Sequence, residues 1–180
     1  MTVPEARLEE TEHGLVPAGD GWFVVNAREA RWLVDELGAW TGFAGEQRFE
    51  QVGINLCVLQ PGVPMAMYHW ENEQEDFLVL SGEALAIVEG EERPLRQWDL
   101  VHCPVAARHV VLGAGDGPCV LLAIGSRSDR EDWGGYPVDE TALRHGASVE
   151  KETTKSSEAY ARFTTPTAPT RYRDGWLPDL

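Results

Sequence analysis

The sequence predicts an all-β protein, an antiparallel β-barrel of short strands with additional segments at both ends. From about residue 47 to 126, short runs rich in Val, Ile, Leu and Phe follow the period of two that is typical of strands. Turns of Gly, Pro and acidic residues separate these runs, and no helical pattern intervenes. Many short strands without intervening helices are typical of a barrel or a sandwich.

The 180-residue length fits one ordinary domain with substantial arms. We expect a single domain over residues 1–180. Its parts are an N-terminal arm and helix over 1–46, a barrel core over 47–126, and a C-terminal extension over 127–180 that packs on the barrel or on a partner subunit.

The charge balance argues against two classes of partner. Thirty acidic side chains face 15 basic ones, which gives a formal net charge of -15, and the basic residues form no run. Such a surface repels nucleic acid and anionic lipid. The longest apolar stretches are also far shorter than the roughly 20 residues that span a bilayer. We therefore expect no nucleic-acid partner and no membrane span.

The N-terminal region contains the one predicted helix. Residues 1 to about 21 are acidic and aperiodic and predict an arm, and WFVVN at 22–26 predicts a short strand. Asn26 and Glu29 have the spacing of a capping box, and Gly38 supplies a stop. A short amphipathic helix is predicted between them, because one helical face would carry Ala30, Leu33, Val34 and Leu37.

The barrel core contains eight predicted strands. They are 53–59, 65–70, 75–80, 83–89, 91–95, 99–103, 108–112 and 118–124.

The C-terminal extension mixes charges, the Thr/Pro stretch 164–170 and six aromatic residues, which are Trp133, Tyr136, Tyr160, Phe163, Tyr172 and Trp176. A disordered tail would be poor in aromatics, so these residues are expected to anchor the extension. A mostly flexible tail with one or two anchors is the alternative.

The cysteines indicate a reducing compartment. Cys57, Cys103 and Cys119 are an odd number, have no CxxC spacing and lie among apolar residues, so they predict buried free thiols. The N-terminus also has glutamates where a secretory signal would have basic and then apolar residues. A cytoplasmic location is expected. The orientation of Cys103, which directly follows His102, stays open.

One group of histidines and carboxylates predicts chemistry. Alternate residues of a strand share a face, so His69 and Glu71 point the same way, and Glu75 joins them if the turn between keeps the parity. His109 lies on a later strand that the fold could bring across the lumen. Such a buried group is costly unless its charge is neutralised, which a divalent cation does directly.

These residues also resemble the cupin superfamily. PGVPMAMYHWENEQEDFLVLSG is similar to its first motif, with Gly62, His69, Glu71, Glu75 and Gly82 at the motif positions. WDLVHCPVAARH is similar to the second motif, with Pro104 and His109 in place and Ala106 at a glycine position. The resemblance covers about residues 52–126. It implies the jelly-roll or double-stranded β-helix form of the barrel.

The resemblance also implies a metal site, with departures. Glu71 stands where the motif has its second histidine, and one extra residue separates Gly62 from His69. An alternative register places Tyr68 and Trp70 at the two histidine positions. We prefer His69, Glu71, Glu75 and His109 as the ligand set. Two imidazoles with carboxylates suit Fe(II), Mn(II), Ni(II), Co(II) or Zn(II). A metal-free lumen, with His69 and His109 as hydrogen-bonded core residues, is the alternative.

The expected function is a metal-dependent enzyme that acts on a compact organic molecule. A largely apolar pocket is predicted because Met65, Met67, Phe77, Val79 and Val111 share the parity of the ligands. The resemblance implies oxygenase, isomerase, cyclase or decarboxylase chemistry, and a four-ligand set argues against the usual oxygen-activating triad. A noncatalytic binding or sensor module and a structural unit are the alternatives. The arms predict a homodimer.

Overall fold

A computed structural model of the chain describes residues 2–45, 48–127 and 133–179. Within these ranges the protein contains fourteen strands and two short helices. The strands are β1 Arg7–Thr11, β2 Gly14–Ala18, β3 Trp32–Asp35, β4 Gly38–Thr41, β5 Val52–Leu59, β6 Trp70–Glu71, β7 Glu75–Ser81, β8 Glu83–Val88, β9 Glu91–Arg96, β10 Leu100–Cys103, β11 His109–Ala114, β12 Cys119–Ser126, β13 Gly134–Gly135 and β14 Ala168–Thr170. The helices are α1 Glu140–Arg144 and α2 Ser156–Ala159.

Two antiparallel sheets build the barrel. One sheet has seven strands in the order β10-β7-β12-β5-β4-β3-β14, and the other has three in the order β11-β8-β9. Their inner faces meet in one core cluster, in which Phe77 and Val79 of the large sheet pack with Ala84, Ala86 and Val111 of the small one. The mostly-β, antiparallel architecture predicted from the sequence is confirmed.

The predicted N-terminal helix is wrong, because residues 32–41 form the hairpin β3–β4. Asn26 begins only a single turn, in which its carbonyl oxygen accepts hydrogen bonds from the amides of Glu29 and Ala30. The turn does not continue into a helix, because the backbone of Leu15 in β2 forms hydrogen bonds with the backbone groups of Glu29 and Arg31. Its amide donates to Glu29 O at 2.7 Å, and its carbonyl accepts from Arg31 N at 3.1 Å.

The hairpin turn explains the residues that had predicted the helix end. Leu37 N donates to the Asp35 carboxylate at 2.8 Å, and Asp35 pairs with Gly38 across a two-residue loop. Gly38 has φ +118°, and a Cβ there would lie 2.6 Å from Val58 O. Only glycine fits this close approach to the neighbouring strand.

Two further predicted strands differ from the structure. Residues 22–26 contribute only a bridge between Trp22 and Glu5. The region 65–70 is mostly irregular, and Trp70 begins the two-residue strand β6. The predicted arm contains the hairpin β1–β2.

The last part of the C-terminal extension, residues 168–177, lies on the outer face of the large sheet. Tyr172 and Trp176 pack against Trp32, which is completely buried, with ring centroids 6.1 and 5.0 Å away. β14 pairs with β3 and extends the sheet at that edge. The two helices have five and four residues, and in the described ranges no helix could cross a membrane.

Candidate metal centre

Three separate segments bring two histidines and one glutamate together. His109 is the first residue of β11, Glu75 is the first residue of β7, and His69 directly precedes β6. His69 and His109 pair as an antiparallel bridge, with N···O distances of 3.0 and 2.8 Å in the two directions. Because this pairing fixes both backbones, it places the two imidazole rings side by side, with centroids 4.7 Å apart.

Backbone carbonyls fix the orientation of both rings. The Nδ1 atom of His69 lies 2.8 Å from Met67 O, and that of His109 lies 3.0 Å from Ala107 O. A carbonyl oxygen can only accept, so both Nδ1 atoms carry hydrogen and donate. This leaves the two Nε2 atoms for a common centre, as in histidines that bind metal ions.

Glu75 completes the group. Its Oε2 atom lies 3.2 Å from Nε2 of His69 and 3.0 Å from Nε2 of His109. One donor atom from each residue lies within 4.8 Å of the other two. Among the described residues, Nε2 of His109 is the buried side-chain nitrogen without an aligned hydrogen-bond partner. An orphaned imidazole nitrogen facing a carboxylate fits a divalent cation, which would take both as ligands.

The electrostatics of the group follow from its burial. Burial opposes the charge of Glu75, but contacts with His109 and His69 outweigh it and lower its pKa to about 2. Burial likewise opposes a charged His109, but contacts with the Cys103 thiol and the Glu75 carboxylate raise its pKa to about 10. Without metal, the pair therefore holds an imidazolium and a carboxylate near neutral pH.

Glu71, the fourth predicted ligand, lies beside this group. Its Oε1 atom is 3.6 Å from Nε2 of His69, and its side chain is 28% exposed. The three-atom group does not include it. Burial, and next the charge of Glu75, raise the pKa of Glu71 above its ordinary value.

The structure gives the positions of three nearby residues whose orientation the sequence did not decide. Cys103 is 1% exposed and stands opposite Glu75 in the β10–β7 register. His102 points outward, and its Nδ1 atom lies 2.7 Å from the Asp76 carboxylate. Tyr68 is buried in another cluster, away from the barrel core.

Comparison with protein families decides the nature of the barrel. Residues 55–125, which include Glu75 and His109, match the cupin domain model. Residues 55–125 form a cupin domain. The chain has no match among curated proteins.

Solved structures include relatives of this cupin domain. A candidate sugar phosphate isomerase from Acidithiobacillus ferrooxidans is 34% identical over 44% of this chain and 53% of its own, with a TM-score of 0.43. The match thus spans about half of that protein. A sugar phosphate isomerase of a cupin superfamily from Silicibacter pomeroyi is 22% identical over 73% of each chain, with a TM-score of 0.47. The capsular polysaccharide assembling protein CapF from Staphylococcus aureus is 20% identical over 60% of this chain and 34% of its own, with a TM-score of 0.50, a likeness of fold alone.

A pocket of about 520 Å³ opens on the cupin domain, and its lining differs from the predicted one. Phe77, Val79 and Val111 belong to the packed core cluster, and Met67 lines a second cavity of about 460 Å³. Of the predicted pocket residues, Met65 does line the larger pocket. The described residues that line this pocket are Asp35, Leu37, Ala39, Trp40, Asn55, Cys57, Leu59, Met65, Ala123, Tyr160, Phe163, Thr165, Pro166 and Thr167.

Sequence reasoning missed the residues that the C-terminal extension supplies to this pocket. Tyr160, Phe163 and residues 165–167 form one of its walls. The only signal was the aromatic content of the extension, which predicted anchoring and no pocket.

Tyr160 also connects the pocket to the metal-ligand group. Its hydroxyl oxygen accepts a hydrogen bond from Met67 N at 3.1 Å, while Met67 O accepts from His69. The backbone of one residue thus joins Tyr160 to a candidate ligand.

Proposed function

We propose that the chain is a divalent-metal enzyme whose cation is held in the cupin barrel by His69, Glu75 and His109. The observation that supports this most strongly is the commitment of both Nδ1 atoms to backbone carbonyls, which turns both Nε2 atoms toward Glu75. Donation of the second ring nitrogen to a fixed acceptor is what orients histidine ligands in metal sites. Glu71 is close enough to act on this centre and is retained as a candidate fourth ligand.

The donor set favours reactions of small molecules that carry oxygen. When bound, the cation supplies open coordination positions at which a substrate oxygen or dioxygen is polarised. The three donors His69, Glu75 and His109 alone are the donor set of non-haem Fe(II) oxygenases and favour an oxygenase. With Glu71 as a fourth ligand, an isomerase or cyclase is favoured instead. The protein holds the donors away from water, since the side chains of His109 and Glu75 are only 3% and 17% exposed.

The same proposal covers partners and location. A net charge of -15 supports a small-molecule ligand and no nucleic acid. Trp98 and Leu100, which are 67% and 63% exposed beside the open edge of β10, support a homodimer. The three cysteines are free and buried, which suits the cytoplasm.

Metal analysis of the purified protein tests the proposal. Cells are grown with Fe, Mn, Ni, Co and Zn supplied, chelators are avoided, and the metal content of the protein is measured by mass spectrometry. We expect about one ion per wild-type chain and a large loss in His69→Ala and His109→Ala. His145→Ala is the matched control, because His145 lies at the surface beside Glu92, and it should retain the metal.

The outcomes separate the alternatives. Little metal in the wild type, or equal content in His109→Ala and the control, contradicts the metal centre. Bound iron supports the oxygenase type, and bound zinc, nickel or manganese supports the isomerase or cyclase type. A metal-loaded protein that binds small molecules without converting them is a binding module.

A further inference from the structure

The C-terminal extension holds the backbone that orients the His69 ring. The ring donates to Met67 O, and the peptide unit of that carbonyl also contains the amide of Tyr68. This amide donates to Ala147 O of the extension at 2.6 Å, so the carbonyl on the opposite side of the same peptide is turned toward His69. Met67 N, in the preceding peptide, donates to the Tyr160 hydroxyl at 3.1 Å. The extension therefore holds both peptide units that flank Met67.

The extension also holds the chain on the other side of His69. Strand β13 pairs with β6 and places Gly134 opposite Glu71. A Cβ at Gly134 would collide with Trp70 O, so only glycine allows this close approach. The segment 67–71, which carries His69, thus contacts the extension at both of its ends.

The barrel itself holds the other two candidate ligands. His109 begins β11, which pairs with β8, and its ring donates to Ala107 O. Glu75 begins β7, which pairs with β10 and β12. The three candidate ligands lie inside the matched range 55–125, whereas the extension lies outside it. The extension therefore acts most directly on His69.

The contact between Tyr160 and Met67 is buried. Met67 is 1% exposed and lies in an apolar cluster with residues of the extension, against which Tyr160 packs. The Tyr160 hydroxyl is also hydrogen-bonded to the side chain of Tyr136, whose ring centroid lies 6.1 Å from that of His69. Because Met67 is buried, loss of the Tyr160 hydroxyl would leave its amide without an acceptor and release the backbone that faces His69.

We propose that the C-terminal extension positions one ligand of the metal centre, and that Tyr160 is the positioning residue that orients His69 through the backbone of Met67. The inference deepens the proposed function and rests on it for the role in metal binding. The orientation of the ring depends on the protein contacts alone. Since linkage between two events is reciprocal, metal binding in turn stabilises the docked extension.

The first measurement follows the two histidine rings in the metal-free, full-length protein. NMR of protein labelled with 15N-histidine gives the rates at which the Nδ1 hydrogens of His69 and His109 exchange with water. In Tyr160→Phe, we expect the His69 hydrogen to exchange about fivefold faster, because its acceptor, Met67 O, is less firmly held. The His109 hydrogen should exchange as in the wild type, since its acceptor, Ala107 O, belongs to the barrel.

The second measurement is the affinity for Zn(II), determined by competition with a chromophoric chelator. Tyr160→Phe should bind Zn(II) about tenfold more weakly, which is the lower end of the range for groups that orient metal ligands. Tyr172→Phe is the matched control, because this hydroxyl also accepts a backbone amide, that of Leu177 at 3.4 Å, but in another part of the extension. It should match the wild type in both measurements.

The wild type supplies a third measurement that needs no folded variant. Zn(II) should slow the hydrogen exchange of the Met67 and Tyr68 amides, whose acceptors belong to the extension, more than that of the amides in the hairpin β1–β2. Exchange at Met67 and Tyr68 that does not respond to bound Zn(II) would overturn the linkage between the extension and the metal centre.

The outcomes keep this inference separate from the proposed function. Unchanged Zn(II) affinity in Tyr160→Phe, even with a lower melting temperature, shows a purely structural role and overturns the positioning role. Equal acceleration of exchange at His69 and His109 does the same. If the wild type binds no metal, the metal centre falls, and the ring measurement then decides the orientation of His69 alone, with faster exchange supporting it and unchanged exchange refuting it.

Discussion

Metal binding should release a proton, and pH is the perturbation that reveals it. Burial lowers the pKa of His109, but contacts with Cys103 and Glu75 outweigh this effect and raise the pKa to about 10. The imidazole is therefore protonated at neutral pH. A cation can use Nε2 only after that proton leaves. Metal affinity should therefore rise about tenfold per pH unit, or about 1.4 kcal/mol, and about a hundredfold from roughly pH 6.5 to 8.5.

The stability of the metal-free protein should change with pH in the opposite direction. The folded pKa of His109 lies above its ordinary value of 6.5, so the imidazolium contributes fully below about pH 6.5 and is lost as pH rises through about 10. The melting temperature should fall over that window without metal and fall less with metal bound.

Isothermal titration calorimetry in buffers of different ionisation enthalpy measures the released proton directly. His102→Ala is the matched control, because His102 is an exposed histidine on the neighbouring strand, paired with Asp76, and should keep the full pH slope. A flat affinity between pH 6.5 and 8.5, or heats that do not depend on the buffer, would refute the assignment of a charged His109 facing the cation site.

Two further predictions test the ligand set and the anchoring of the extension. Glu71→Gln should lower metal affinity by about tenfold, the range of a neighbouring group, whereas Glu75→Gln should abolish stoichiometric binding, because Glu71 lies outside the three-atom group. Equal metal content in the two variants would contradict this. Trp32→Ala should lower the free energy of unfolding by about 3–5 kcal/mol in urea titrations, because it empties a fully buried site and strands the carbonyl of Ala27, which accepts from the indole at 2.8 Å. Trp98→Ala, at a 67% exposed site, should change it by about 0.5 kcal/mol or less.

The barrel was predictable because its signals are local. Strands β7 to β12 have alternating residues and turns that lie within a few positions of each other, so the sequence shows both. The hairpin β3–β4 was not predictable in this way. Leu33, Val34 and Leu37 fit a helical face equally well, and the deciding contacts come from distant segments. Leu15 takes the backbone groups that a helix would need, and Tyr172 covers Trp32.

The candidate site was predictable in part for a similar reason. Motif spacing brought His69, Glu75 and His109 into one hypothesis, and the structure places their donor atoms together. The spacing could not show that Glu71 lies beside the three-atom group and outside it, because the position of Glu71 depends on the conformation of residues 72–74. The pocket lining could not be predicted from the sequence, because Tyr160 and Phe163 meet Met65 only after the extension folds back over the barrel.

The return of the extension makes the pocket a composite of segments far apart in sequence, because its lining comes from residues 35–40, 55–65, 123 and 160–167. Cys57, Leu59 and Ala123 lie inside residues 55–125, whereas Tyr160 and Phe163 lie outside them. A truncated protein that ends after the cupin domain would retain all three donor residues and lose the roof of the pocket. Fragment boundaries drawn from the family match alone would thus keep the three candidate ligands and discard the enclosure. Combinatorial libraries directed at residues 160–167 could reshape that roof without changing a single donor.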